Sequence, residues 1–155
     1  MKKIAICLFL CLLLIATIVY SKEAQSSIYT DVPSSDNMVE LLARLINAEA
    51  RGESYSGQVA VGAVIMNRVK SPLFPNTIAG VIYSPGQFSS VTDGQINLPI
   101  EEDSSVYMAA QDAINGVDPT SGSLYFYNPS KTKSKWLFSL QTVTTIGKHV
   151  FAKER

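Results

Sequence analysis

The segment MVELLARLINAEARGE, residues 38–53, decides the fold because an amphipathic helical pattern runs through it and ends in a carboxylate. Met38, Leu42 and Leu45 recur at helical spacing, and Glu49 continues the same face. A carboxylate on the core side of a helix is costly unless it is paired, hydrogen-bonded or protonated. A carboxyl group that such an environment keeps protonated is what a general acid needs. The spacing therefore makes Glu49 a candidate catalytic acid.

The spacing alone favours a simpler interpretation of Glu49. Gly52 marks the expected end of the helix, where the last turn frays. The side chain of Glu49 would then point to water or pair with Arg44 or Arg51. The choice between an acid catalyst and a surface carboxylate depends on the rest of the chain.

The N-terminal residues have the composition of an export signal. Lys2 and Lys3 give a cationic start, and an apolar run follows from residue 4 to residue 20. We expect cleavage after Ser21, but the run is near the length of a short membrane span, so an uncleaved anchor is the alternative. The predicted segments are the signal at 1–21, a polar tether at 22–37 and one domain at 38–155.

Cysteine and histidine usage excludes several classes of enzyme. Cys7 and Cys11 both fall inside the signal, so the exported part has neither a thiol nucleophile nor a disulfide. His149 is the single histidine, which is too few for a zinc site built from His and Cys. Cysteine proteases and most zinc amidases are therefore disfavoured. A lone histidine is more often structural than catalytic, and we expect that of His149.

The formal net charge is zero, but basic residues concentrate after residue 120. A basic surface can attract an anionic polymer, although an ordinary solvated surface is the simpler explanation. Nucleic acid is a poor candidate partner, because the domain is not basic overall and an exported protein rarely meets it.

The remaining patterns predict a helix-rich α+β fold. Helices are expected at 54–69, 77–83 and 101–115, the last with acidic residues in its first turn. Residues 87–100 are expected to be irregular or hairpin-like, with Asp93-Gly94 as a turn. Segments 124–127 and 143–151 are rich in β-branched and aromatic residues and are expected to be strands or extended. The prediction is a single domain with a small, irregular β part.

Several motifs distinguish this sequence from that of a generic helix-rich domain. They are NAEARGE at 47–53, GQVAVGAVIMNRV at 57–69, FPNT at 74–77, VIYSPGQFS at 81–89 and DG at 93–94. The C-terminal part adds AING at 113–116, YFYNP at 125–129, SKW at 134–136 and TIGKHVF at 145–151. In order and without large gaps, these motifs resemble the spore cortex-lytic cell wall hydrolases of the SleB and CwlJ type.

The resemblance implies a lysozyme-like domain that cuts peptidoglycan glycan strands, most simply as a lytic transglycosylase acting on spore cortex during germination. It also implies that Glu49, in the helix-end motif, is the catalytic acid and base. The expected location is the spore cortex, the cell wall or the outer face of the membrane. The expected partner is the glycan strand, with a germination accessory protein as a further partner and a monomer as the working state. Neither a cofactor nor a metal is implied.

Two alternatives stay open. A muramidase or glucosaminidase would add water and needs a second carboxylate, for which Asp93 and Glu53 are the candidates. A turn role is the simpler expectation for Asp93, and a structural role is the simpler one for Glu53. The other alternative is a catalytically silent protein that binds the wall and assists germination.

A sugar polymer also needs a groove with aromatic platforms and hydrogen-bonding groups. The candidate substrate-binding residues are Gln87, Ser89, Tyr125, Tyr127, Asn128 and Trp136. Strand alternation would place Tyr125 and Tyr127 on one face and Phe126 on the other. Core packing is the simpler expectation for Phe126 and Phe88.

Overall fold

The structure, a computed structural model, describes residues 35–155. The predicted export signal, and the predicted tether up to residue 34, lie outside the described residues. The helices are α1 Ser35–Ala50, α2 Tyr55–Lys70, α3 Ile78–Ile82, α4 Ser89–Thr92, α5 Val106–Ile114 and α6 Lys135–Ser139, with a 3-10 turn at Gln95–Asn97. The strands are β1 Tyr125–Tyr127, β2 Gln141–Ile146 and β3 His149–Lys153. Within residues 35–155, every helix is too short or too polar to cross a membrane.

The main core lies between α1, α2 and α5, with α3 packed at one end. Leu42, Leu45 and Ile46 of α1 are fully buried, which confirms the predicted apolar face of that helix. The helices approach closely at Gly62, where an added Cβ would lie 2.8 Å from the Cβ of Ala113 and 3.1 Å from Ile46. The small-residue face of α2 therefore allows three helices to meet, and a helix-rich α+β class is confirmed.

The β part is a three-stranded antiparallel sheet in the order β1-β3-β2. Phe126 pairs with Phe151, and its ring packs against the main core, while Tyr125 and Tyr127 pack on a smaller cluster under α6. The predicted alternation along β1 is therefore confirmed. The sheet is placed so that β1 and the start of β3 face the C-terminal end of α1 across a cleft.

Two predicted elements were wrong in part. The third helix begins at Val106 and not at Glu101, and its first turn contains no acidic residue. The hydroxyl of Ser105 donates to Gln58 Oε1 at 2.6 Å, so it anchors the chain to α2 and makes no cap at this helix. The predicted extended segment 143–151 is divided by a turn at Gly147, where φ is +58°, and so forms two strands.

The hairpin considered for residues 87–100 does not form. Asp93 ends α4, Gly94 adopts a left-handed φ of +81°, and the 3-10 turn follows. The expectation of an irregular segment is the one that holds, and the turn at Asp93-Gly94 is present. The local reason is that short helical turns satisfy the backbone here and leave no strand to pair.

Candidate active site

A cleft of about 380 Å³ lies between the end of α1 and the sheet. The helical side of the cleft includes Ala48 and Glu49 of α1 and Arg68 of α2. The other lining residues are Gln87, Phe88, Ser89, Ser90, Gln95, Phe126, Tyr127, Asn128, Lys131, Thr132 and His149. Residues from both halves of the domain therefore form one concave surface around Glu49.

Glu49 is held by a hydrogen bond to one of its two oxygens. The hydroxyl of Ser90, on the buried side of α4, donates to Glu49 Oε1 at 2.6 Å. Oε2 has no hydrogen-bond partner among residues 35–155, so it is the oxygen that can carry a proton to a bound ligand. The half-buried carboxyl group thus has a fixed orientation and one free oxygen at the cleft, which suits a general acid.

We expect Ser90→Ala to lower kcat by about 10–100-fold. A hydrogen bond to a charged group contributes about 1.5–3 kcal/mol, and its loss would release the Glu49 side chain from its orientation. Steady-state rates at which fragments are released from peptidoglycan, the substrate that the family resemblance implies, would measure the effect. Ser56→Ala, the same change at an exposed position on α2, is the matched control and should leave the rate unchanged. Equal rates for Ser90→Ala and wild type would contradict the positioning role.

The structure places Glu53 behind the cleft, and it is not one of the lining residues. Its side chain is only 8% exposed, and Oε2 accepts a hydrogen bond from the backbone N–H of Lys148 at 3.1 Å. A Cβ on Gly147 would collide with this carboxylate. Glu53 therefore joins the end of α1 to the turn between β2 and β3, an arrangement that supports a structural role.

Asp93 also lies outside the lining of the cleft, and both of its oxygens are occupied. Oδ1 accepts from the backbone N–H of Gln95 at 3.1 Å, and Oδ2 accepts from Gln95 Nε2 at 2.8 Å. These bonds form an Asx-type turn around Gly94. The geometry supports a turn-forming role for Asp93.

His149 lines the cleft from the first residue of β3. Its Nδ1 lies 3.8 Å from Glu53 Oε1 and is a buried nitrogen without a hydrogen bond, while the ring edge packs on Phe126. Burial lowers the pKa of His149, and this outweighs the opposing effects of the Glu53 and Glu49 carboxylates; Lys131 and Lys148 lower it further. His149 is therefore a neutral wall residue at neutral pH.

This lowered pKa predicts a loss of stability in mild acid. Since the unfolded chain binds the proton more readily than the folded one, the contribution of His149 is fully present above its ordinary pKa of about 6.5 and is lost as the pH falls through the folded-state value. Denaturant titrations between about pH 7.5 and pH 5 should show the free energy of unfolding falling more steeply for wild type than for His149→Gln. Parallel curves for the two proteins would contradict this expectation.

The predicted substrate-binding residues divide between two neighbouring clefts. Gln87, Ser89, Tyr127 and Asn128 line the cleft with Glu49. Tyr125 and Trp136, together with Gln87, line a second cleft of about 630 Å³. The role of all six in binding stays a prediction, but the structure gathers them on one side of the domain around the sheet.

Sequence reasoning missed several polar residues of the cleft, including Ser90 and Arg68, which contact Glu49 and Gln87. Ser90 follows the candidate Ser89 in the same motif, and only the turn of α4 determines which hydroxyl faces Glu49. Arg68 lies on α2 in a motif that resembled a packing face, and nothing in its spacing marks it as a cleft residue. Within residues 35–155, no group of three His, Cys, Asp or Glu side chains is arranged to hold a metal ion.

Comparisons with known proteins agree with this architecture. The catalytic domain of the SleB protein of Bacillus cereus superposes with a TM-score of 0.71 at 49% identity, covering 80% of this chain and 97% of that one. The catalytic domain of the germination-specific lytic transglycosylase SleB of Bacillus anthracis gives a TM-score of 0.71 at 48% identity, covering 79% and 100%. The similarity therefore extends over nearly the whole of both catalytic domains.

The spore cortex-lytic enzymes that match are longer than this chain. The spore cortex-lytic enzyme of Bacillus cereus is 49% identical over 126 residues, which are 80% of this chain and 48% of that protein. Thus the chain spans less than half the length of this curated relative. The family model described as Cell Wall Hydrolase matches residues 52–152. The chain therefore belongs to the cell wall hydrolase family.

Proposed function

We propose that the protein is a lytic transglycosylase that cuts the glycan strands of spore cortex peptidoglycan, with Glu49 as both acid and base. One observation carries the proposal: Glu49 is the only carboxylate among the described residues that line its cleft. A glycosidase that adds water usually needs a second carboxylate at the cleavage site, whereas a lytic transglycosylase works with one. Asp93 and Glu53, the two alternatives, accept hydrogen bonds within turns and do not line this cleft.

In the first step, the proton on Glu49 Oε2 passes to the glycosidic oxygen as the bond from C1 to that oxygen breaks. The leaving sugar departs as an alcohol, and the remaining sugar acquires oxocarbenium character at C1. Ser90 donates to Oε1 throughout, so the carboxyl group keeps its orientation as it changes charge. The newly formed carboxylate lies beside the developing positive charge and stabilises it.

In the second step, the same carboxylate removes the proton from the 6-hydroxyl of the sugar that carries C1. The oxygen of this hydroxyl attacks C1 and closes a 1,6-anhydro ring, which restores the protonated Glu49. The nucleophile belongs to the substrate itself, so its effective concentration is high and no activated water is required. One glutamate therefore completes the cycle.

The names of the relatives support the choice of substrate. Similar full-length proteins include spore cortex-lytic enzymes, and one similar catalytic domain is that of a germination-specific lytic transglycosylase. Aromatic and amide side chains line the cleft of Glu49, and further aromatic side chains line the neighbouring cleft, which suits a glycan strand. The proposal extends to action outside the cell, on the cortex or cell wall.

Mass spectrometry of the fragments released from purified cortex peptidoglycan tests the proposal. The full chain should release fragments that end in anhydromuramic acid, and the same incubation with Glu49→Gln should not. Reducing ends one water heavier would replace the proposal by a water-adding muramidase or glucosaminidase. Binding to cortex without any release by the wild type would favour a wall-binding accessory protein.

A further inference from the structure

Arg68 is a buried cation without a carboxylate partner. The residue is 5% exposed, and among residues 35–155 no carboxylate lies within ion-pair distance of its guanidinium. Its Nε donates to the carbonyl oxygen of Leu124 at 2.7 Å, and Nη1 donates to Gln87 Oε1 at 3.2 Å. A guanidinium has five N–H groups, so three have no partner within the described residues.

Aromatic rings surround this guanidinium. Its central carbon lies 4.9 Å from the ring centre of Phe74, 5.5 Å from that of Phe88 and 5.6 Å from that of Tyr125. Burial lowers the pKa of Arg68 to about 10, so the group is still charged at neutral pH. The rings compensate part of the cost of burial but accept none of the remaining hydrogen bonds in the way an oxygen would.

The position of Arg68 joins the two clefts. Arg68, Gln87 and Phe126 line both the cleft of Glu49 and the second cleft, which makes them the shared wall of one groove. In the second cleft, the ring of Trp136 meets Tyr125 edge to face with centres 5.1 Å apart, and the tryptophan is half exposed. This cleft therefore has an apolar platform for a sugar ring and a cation beside it.

We propose that the second cleft is an anion-recognising sugar subsite, in which Trp136 and Tyr125 contact a muramic acid ring and Arg68 binds a carboxylate carried by that sugar. The inference rests on the proposed function, because it adds a substrate contact to the same groove. The carboxylate comes either from the free lactyl side chain or from an attached peptide stem. Both present the same two oxygens to the guanidinium.

Charge and geometry favour an anion over a neutral group. The planar guanidinium matches a carboxylate in a paired, two-bond contact, which is the strongest pairing available to its free N–H groups. Glu154 also lines the second cleft, but its Oε1 accepts from the hydroxyl of Tyr125 at 2.8 Å, and it is not within ion-pair distance of Arg68. An incoming carboxylate therefore meets an uncompensated positive charge in a partly desolvated wall.

Calorimetric binding to the Glu49→Gln protein tests this subsite without requiring cleavage. The first probe is a peptide-free tetrasaccharide of alternating N-acetylglucosamine and N-acetylmuramic acid with free lactyl carboxylates, and the second is its methyl ester. We expect the ester to bind at least tenfold more weakly.

A third probe that retains its peptide stems distinguishes the two sources of the carboxylate. Tighter binding than that of the first probe assigns the carboxylate to the stem, and weaker binding assigns it to the lactyl side chain. Equal affinities for the acid and its ester would overturn the proposal.

Variants in the same background identify the cation. Arg68→Gln should lower the affinity for the acid to that of the ester and leave the ester unaffected. Lys70→Gln, the same charge change on the exposed end of α2, is the matched control. If the acid-to-ester difference disappears in Lys131→Gln instead, the anion is bound by the exposed lysine of the first cleft, and Arg68 is not the recognition group.

Folding must be separated from recognition, because Arg68 is buried. Arg68→Lys keeps the charge and the apolar stem, and it should weaken acid binding several-fold with no change for the ester. An equal loss for both probes in either variant would show that Arg68 acts through the structure alone. Anhydro products with no discrimination between acid and ester would remove only this inference. Discrimination without any cleavage by the wild type would remove only the proposed function.

Discussion

Glu49→Gln is expected to lower the release of fragments from cortex peptidoglycan by at least about 10²–10⁴-fold, the usual contribution of a positioned acid or base. The amide keeps the shape of the side chain and can still accept the hydrogen bond from Ser90. It cannot donate a proton as an acid, and it cannot remove one from the 6-hydroxyl. Because both proposed steps use the same carboxyl group, the loss should appear in kcat.

Initial rates and thermal unfolding curves should be measured together for this variant. Glu40→Gln is the matched control on the same helix, since its carboxylate is exposed and forms a surface ion pair with Arg44 at 3.3 Å and a hydrogen bond with Tyr107. That control should retain wild-type rates. A folded Glu49→Gln protein with near-normal turnover would refute the catalytic assignment.

Gly147→Ala is expected to destabilise the protein by about 2.5–5 kcal/mol. The backbone φ of +58° costs a non-glycine residue about 1–2 kcal/mol, and the new Cβ would displace the Glu53 carboxylate from the Lys148 N–H. Loss of a hydrogen bond to a charged group adds about 1.5–3 kcal/mol. Denaturant unfolding would measure the sum as a lower midpoint with an unchanged slope.

Gly122→Ala separates the two contributions to this loss. Gly122 also has a positive φ, +82°, but an added Cβ there would meet nothing within 4 Å. Its cost should therefore be the backbone cost alone. If Gly147→Ala is no more destabilising than Gly122→Ala, the contact between Glu53 and the turn contributes little to stability.

Local patterns predicted the parts of the fold that depend on one segment. The period of Leu42 and Leu45 predicted α1, and the small residues around Gly62 predicted a close helix contact. The start of α5 was not predictable, because the hydroxyl of Ser105 is used by a residue of another helix, Gln58. Capping rules consider only residues that are close in sequence, so they cannot predict a hydrogen bond from Ser105 to the distant Gln58.

The candidate site also combines residues that one segment of sequence indicates with residues that only folding brings together. The helical stripe and the family motif indicated Glu49, and the structure places it in a cleft. The hydroxyl of Ser90 contacts Glu49 across a separation of 41 residues in sequence. The guanidinium of Arg68 contacts Gln87 across a separation of 19 residues. No periodicity within one segment encodes these contacts, so they appear only after the chain has folded.

The hydrogen bond from Lys148 to Glu53 connects residues 95 positions apart, and it carries a biological consequence. It holds β3, and with it His149, opposite the helix that bears Glu49. During translation, the helix that carries Glu49 is therefore synthesised long before β3, the strand that faces it across the cleft. Until the hairpin of β2 and β3 docks, a partly made chain therefore lacks the wall of the cleft that His149 forms, so the cleft is among the last features of the domain to be assembled.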